Sequence, residues 1–150
     1  MENVKQINDQ LAIAGQITPE QLQQAAQEGF KSVFNLRSPA EQGYWSEEGQ
    51  QAEALGLHYA NIPVPKAEEL TEEITTQVLQ QIDALPKPAL IHCGVSLRAG
   101  AITLMYLATR QGLTPEQAFE KAGEIGFDCS AYPQMKAFFK SYVEKYSQAA

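Results

Sequence analysis

Along the 150 residues, apolar positions recur with two different periods, and the switches between them mark out the elements. Two short β-like runs, 4–7 and 11–14, flank Asp9-Gln10 and predict a small hairpin. Thr18-Pro19-Glu20-Gln21 then supplies a hydroxyl N-cap, a proline at the first helical position and a glutamine at the third. This predicts a helix to about Glu28, stopped by Gly29. The apolar run 32–36 reads as a buried strand, and a polar loop follows over 37–43. Next come a helix over 46–55 closed by Gly56 and a strand over 57–62 ended by Pro63 and Pro65. A long amphipathic helix is predicted over 71–85, with Ile74, Val78 and Ile82 on one stripe. Lys87-Pro88 turns into a short apolar strand, 89–92. Helical patterns follow over 98–110, closed by Gly112, and over 114–124, where Thr114-Pro115-Glu116-Gln117 repeats the cap signature. A last helix, over 134–146, turns Met135, Phe138, Phe139, Tyr142 and Val143 toward a core.

Strand and helix thus alternate, which predicts a single-domain α/β fold over 1–150. A central, mostly parallel sheet of four to five strands would be flanked by helices. In such sheets, sites gather at the carboxyl ends of the strands. The loops starting at Arg37, Pro63 and Cys93 are therefore expected to converge.

Composition narrows the function. With 44% apolar and 19% charged residues, the chain suits one core. A net charge of -7 argues against a nucleic-acid or anionic-membrane binder, since both need a basic footprint. It leaves room for one small anion site. Two cysteines, Cys93 and Cys129, are too few for a disulfide scaffold and point to a reducing compartment. The first six residues lack an apolar leader pattern, and the apolar-leaning stretch 99–108 is too short to span a bilayer. A soluble, cytoplasmic protein is expected.

The chemistry concentrates in His92-Cys93-Gly94-Val95-Ser96-Leu97-Arg98, between a strand and a helix. Peptide N–H groups between Gly94 and Arg98 have no ladder partner and can curl around a tetrahedral anion. The helix beginning near Arg98 directs its positive end at the same point, and the Arg98 guanidinium adds a two-pronged donor. The same field favours the ionised, nucleophilic form of Cys93. Gly94 keeps a side chain out of the approach path. As a core filler, a lone cysteine at a strand end would need none of these neighbours. A metal site is disfavoured, because adjacent strand residues His92 and Cys93 point to opposite faces.

At these residues the sequence resembles the cysteine-dependent protein phosphatase superfamily, in its dual-specificity-like branch. It is most similar there to the small bacterial beta-lactamase-hydrolase-like phosphatase domains. The resemblance runs through Ile13-Ala14-Gly15-Gln16, Gly29 to Arg37, Glu41, Ala54 to Tyr59, Ile62-Pro63-Val64, and Leu90 to Arg98. It implies a phosphate monoester as substrate, either a phosphorylated protein or a small ester, and no metal or organic cofactor. Cys93 would attack phosphorus, while Arg98 and the amides of Gly94, Val95, Ser96 and Leu97 hold the phosphate oxygens. His92 would brace the loop; the alternative is an ordinary buried histidine. Arg37 would be a second anion contact or a structural support. The family's acid is an aspartate after the strand ending at Ile62. Here the aspartates are Asp9, Asp83 and Asp128, so Glu68 is placed first by position, with Glu69, Glu41 and Asp128 as other candidates.

The chain departs from the wider superfamily in its four residues between Cys93 and Arg98, in Ser96 where a glycine is usual, and in Ala99 where a hydroxyl is usual. The four-residue spacing also suits a rhodanese-like sulfurtransferase with a persulfide on Cys93. Ser96, Ala99 and the missing aspartate suit a non-catalytic phosphate- or phosphopeptide-binding module. His58 reads as structural or exposed, and Tyr44-Trp45 as a cleft wall or a cover for the core edge. Cys129 reads as a resolving thiol or an inert one.

Overall fold

Five strands and six helices fill a computed structural model that describes residues 4–65, 69–93, 97–124 and 133–146. In chain order they are β1 (Val4–Gln6), β2 (Leu11–Ala14), α1 (Pro19–Gln27), β3 (Ser32–Asn35), α2 (Glu48–Ala54) and β4 (His58–Asn61). Then come α3 (Glu72–Ala84), β5 (Ala89–His92), α4 (Leu97–Gln111), α5 (Pro115–Glu124) and α6 (Pro133–Tyr146). The strands form one sheet in the order β1-β2-β5-β3-β4. Only the β1–β2 hairpin pair is antiparallel. The α/β fold expected from the alternation is the fold observed.

The ends of the elements follow local chemistry. The Thr18 hydroxyl accepts the Gln21 N–H at 3.1 Å, and the Gln21 side chain accepts the Thr18 N–H at 3.0 Å, a complete capping box. Gly29 and Gly56, with φ of 95° and 83°, take the left-handed turn out of α1 and α2. The helix expected over 46–55 starts later, at Glu48, which puts that glutamate in its first turn.

β2, β3 and β5 are buried along their whole length, as strands covered on both faces must be. Leu11, Ile13, Phe34 and Ile91 face a core shared with Val78 and Ile82 of α3, Ile102 of α4 and Phe139 of α6. Ala12, Ala14, Val33 and Leu90 face the other way, toward Leu22 and Ala25 of α1 and Ala52 of α2. Period two along β5 therefore sends Leu90 and His92 to the α1–α2 side, and Cys93 joins Ile91 in the core beneath α4. α2 lies close to the sheet because residue 49 is glycine: a Cβ there would come within 3.0 Å of the Tyr59 ring. The register pairs Ala14 with His92, Asn35 with His92 and Asn35 with Asn61, so four parallel strands end level. Among the described residues no helix is long and apolar enough to cross a membrane.

Phe34 is fully buried on β3, between β5 and β4. Phe34→Ala is expected to cost about 3–5 kcal/mol of stability, and Thr18→Ala about 1 kcal/mol. Urea denaturation of both variants checks this; equal losses would contradict the core described above.

Candidate active site

The level strand ends are pinned just where the chain leaves the sheet. Leu36 N–H donates to the His92 carbonyl at 2.9 Å, Cys93 N–H to Ala14 at 3.2 Å, and Val64 N–H to Leu36 at 2.9 Å. Two asparagines continue the pairing with side chains. Asn61 Nδ2 donates to the Asn35 and Arg37 carbonyls at 2.8 and 2.9 Å, and Asn35 Oδ1 accepts the Arg37 N–H at 2.9 Å. Asn61 is held in turn by the Tyr44 hydroxyl at 2.8 Å. Residues after β3, β4 and β5 are thereby brought to one edge, as the chain order predicted, and the segment after β2 joins them there.

Cys93 is a free, fully buried cysteine. Burial alone would equally describe a core filler. Its surroundings distinguish it, because the Ala99 N–H, in the first turn of α4, donates to Sγ at 3.4 Å. Position 99 thus reaches the sulfur with its amide rather than with a side chain. Arg98 stands beside the same sulfur, and Cys93 is among the groups that raise the Arg98 pKa, after the Glu41 hydrogen bond, which is the largest cause.

The Arg98 guanidinium is clamped along one edge. Nη1 donates to Glu41 Oε2 at 2.8 Å and to the Val64 carbonyl at 2.9 Å, and Nη2 donates to Glu41 Oε1 at 2.8 Å. A guanidinium has five N–H donors. The Nε–H and the second Nη2–H, side by side on the other edge, are the pair that suits a bidentate oxyanion.

Arg37 is buried and engaged in a different way. Its Nε donates to Glu41 Oε1 at 3.2 Å, and Nη1 donates to Gln16 Oε1 at 2.7 Å and to the Gly43 carbonyl at 3.1 Å. Nη2 reaches the Gln42 carbonyl. These contacts tie Arg37 to the 37–43 turn, where Gly43 adopts a φ of 82°, and to Gln16 after β2. Glu41 accepts from both arginines and from the Ser38 N–H at 2.8 Å. The Arg98 hydrogen bonds lead in holding its carboxyl down at about 2. Glu41 therefore carries no proton to give near neutrality, which removes it from the acid candidates.

His92 is fully buried, and its Nε2 lies 2.5 Å from Oε2 of Glu48, itself fully buried. Gln16 Nε2 donates to Glu48 Oε1 at 3.1 Å. Sequence reasoning did not single out Glu48, and it named Gln16 only within the 13–16 stretch of the resemblance, with no role. A glutamate in a first helical turn reads as a solvated helix-dipole partner, and the glycine beside it was the one hint that this turn packs closely. His58 is exposed, and so is Glu69. Gly94, Val95, Ser96, Glu68, Asp128 and Cys129 lie outside the described residues, and of Leu97 only the backbone opening α4 is described.

Comparison with known proteins fits this arrangement. Residues 3–113 match the family of the beta-lactamase hydrolase-like protein, phosphatase-like domain. The chain belongs to that family. Over 89% of its length it is 31% identical to the beta-lactamase hydrolase-like protein of Agrobacterium fabrum (strain C58 / ATCC 33970). It spans 34% of that relative's length, about a third. A DUF442 protein of Shewanella putrefaciens CN-32 shares the fold at a TM-score of 0.82 and 23% identity, covering 97% of this chain and 94% of that one. Tk-PTP in its active form aligns at a TM-score of 0.79 and 22% identity, over 96% of this chain and 97% of its own. TpbA of P. aeruginosa, crystallised with pTyr, aligns at 0.77 and 17% identity, over 96% and 88%. The dual-specificity-like fold of this phosphatase-like family is thus the fold of the chain.

The Glu41 carboxyl is held below its ordinary value of 4.5, so its contribution to stability is fully present above pH 4.5 and is lost as pH falls through about 2. Glu41→Gln is expected to be less stable than the unmodified protein at pH 7, with the gap closing as pH falls from 4.5 toward 2. Urea denaturation across that range checks it; a gap independent of pH would contradict the ion pairs.

Proposed function

We propose that the chain is a cysteine-dependent phosphatase acting on phosphate monoesters. The observation that carries this reading is the juxtaposition of Cys93 Sγ, capped by the Ala99 amide, with the Arg98 guanidinium, which Glu41 and the Val64 carbonyl orient. Family membership supports it.

In the first step the Cys93 thiolate attacks phosphorus; an S–P bond forms and the P–O bond to the leaving group breaks. Arg98 and the amides of residues 94–97 bind the equatorial oxygens, whose charge they stabilise most in the transition state. The leaving oxygen takes a proton from a carboxylic acid, for which Glu68 is proposed from its place after β4. Water then attacks phosphorus and gives a proton back to that carboxylate, the S–P bond breaks with its electron pair returning to Cys93 as thiolate, and inorganic phosphate leaves. Burial of the sulfur strengthens each of these polar contacts relative to water. His92 serves as loop support, and Arg37 as a brace rather than a substrate contact, since its N–H groups already serve the 37–43 turn. Substrates in this reading are phosphorylated proteins, phosphotyrosine included, or small phosphate esters; the activity of any longer protein containing this chain is part of the same proposal.

Turnover of p-nitrophenyl phosphate is the test. Cys93→Ser is expected to abolish it, and Arg98→Lys to lower kcat by about 10²–10³-fold, because an ammonium cannot reproduce the fork. Thiocyanate formation from thiosulfate and cyanide, without phosphate release, would replace this reading with a sulfurtransferase. Phosphate binding without turnover would replace it with a binding module.

A further inference from the structure

The loop bounded by Cys93 and Arg98 is tied at both ends to one continuous chain of side-chain hydrogen bonds. From the residue before the cysteine, His92 Nε2 meets Glu48 Oε2 at 2.5 Å. Glu48 Oε1 accepts from Gln16 Nε2 at 3.1 Å, and Gln16 Oε1 accepts from Arg37 Nη1 at 2.7 Å. Arg37 Nε donates to Glu41 at 3.2 Å, and Glu41 closes the chain on Arg98 with two 2.8 Å bonds. The links come from the segment after β2, from the turn after β3, from α2 and from α4.

The donor pattern leaves little freedom. His92 Nε2 and Glu48 Oε2 share one proton between them, and both arginines only donate. Gln16 alone both accepts and donates. Its amide must present oxygen to Arg37 and nitrogen to Glu48, which makes it the element joining the two halves. Stability does not require such a chain. A buried carboxylate is costly, and well-packed apolar residues commonly replace a buried polar pair at no loss. Glu48, with no exposed surface, is therefore poorly accounted for as a stabilising residue. What the chain does achieve is a common register. His92 carries the peptide leading into the nucleophile, and Arg98 carries the guanidinium, on opposite faces of the sheet.

We propose that Glu48 and Gln16 are positioning residues for the anion loop, holding Cys93 and Arg98 in register by acting through His92 and through Arg37 and Glu41. The inference rests on the phosphatase reading above. It extends that site to two residues that touch neither sulfur nor oxyanion.

The test uses the whole chain with p-nitrophenyl phosphate as substrate and inorganic phosphate and orthovanadate as inhibitors. Gln16 is only half-buried, so Gln16→Ala cuts the chain at a place that tolerates truncation. It is expected to lower kcat about 10- to 100-fold, the scale of a small misplacement of reacting groups, with KM little changed. Orthovanadate, which mimics the five-coordinate transition state, should lose affinity by a similar factor, and phosphate by far less. Glu48→Gln should behave alike. The double variant should be no worse than the worse single one, because both break the same chain.

Unchanged kcat in both single variants, multiplicative losses in the double variant, or equal weakening of phosphate and orthovanadate would overturn the positioning role. In each of those cases the unmodified protein still turns over substrate and the phosphatase reading stands. An unmodified protein that neither hydrolyses the ester nor binds orthovanadate would end that reading, and this inference with it. Should Glu48→Gln fail to fold, Gln16→Ala alone decides, by the split between orthovanadate and phosphate.

Discussion

Neighbouring residues on a strand cannot face the same way, and at the end of β5 this rule separates His92 from Cys93. His92 turns to the side covered by α1 and α2, where Glu48 waits; Cys93 turns to the side covered by α4, where Ala99 and Arg98 meet it. The chain leaving β5 is therefore contacted from both faces of the sheet, at His92 on one side and at Cys93 on the other. The level ends of β2, β3, β4 and β5 make this possible. They let side chains from four segments reach around the edge instead of through the core.

Charge arrangement follows from the same constraint. Two arginines and two glutamates sit at this edge, and each carboxylate receives at least two donors. Glu41 bridges Arg37 and Arg98, which would otherwise repel one another. Such pairing is what tolerable burial of charge requires. It is also what would let a chain of net charge -7 accommodate the proposed anion site. The local balance near Cys93 is set by Arg98 and by the start of α4 with its Ala99 amide, and the acidic excess elsewhere is screened beyond about 10 Å.

Much of this was legible in the sequence, for identifiable reasons. The parallel α/β fold followed from strands of continuous apolar character alternating with capped helices, and Thr18-Pro19-Glu20-Gln21 marked a start that the structure keeps. The convergence of the loops after Asn35, Asn61 and His92 followed from chain order. The partners of the site did not, because Glu48 and Gln16 are recognisable only by what lies across from them after folding. Glu41 reads in the sequence as an acid candidate, since a glutamate in a loop gives no sign of the two guanidinium groups that hold it ionised. Arg37 offered two roles that a strand-end arginine fits equally, and its contacts to Gln16, Gln42 and Gly43 support the brace proposed for it.

Catalysis by this site means a covalent bond between sulfur and phosphorus at one residue. Rapid quenching of the protein with p-nitrophenyl phosphate in acid, followed by peptide mass analysis, tests that bond directly. The account predicts one added phosphoryl group on the peptide containing Cys93, and none in Cys93→Ser. Phosphate release with no adduct on that peptide, undiminished in Cys93→Ser, would contradict it.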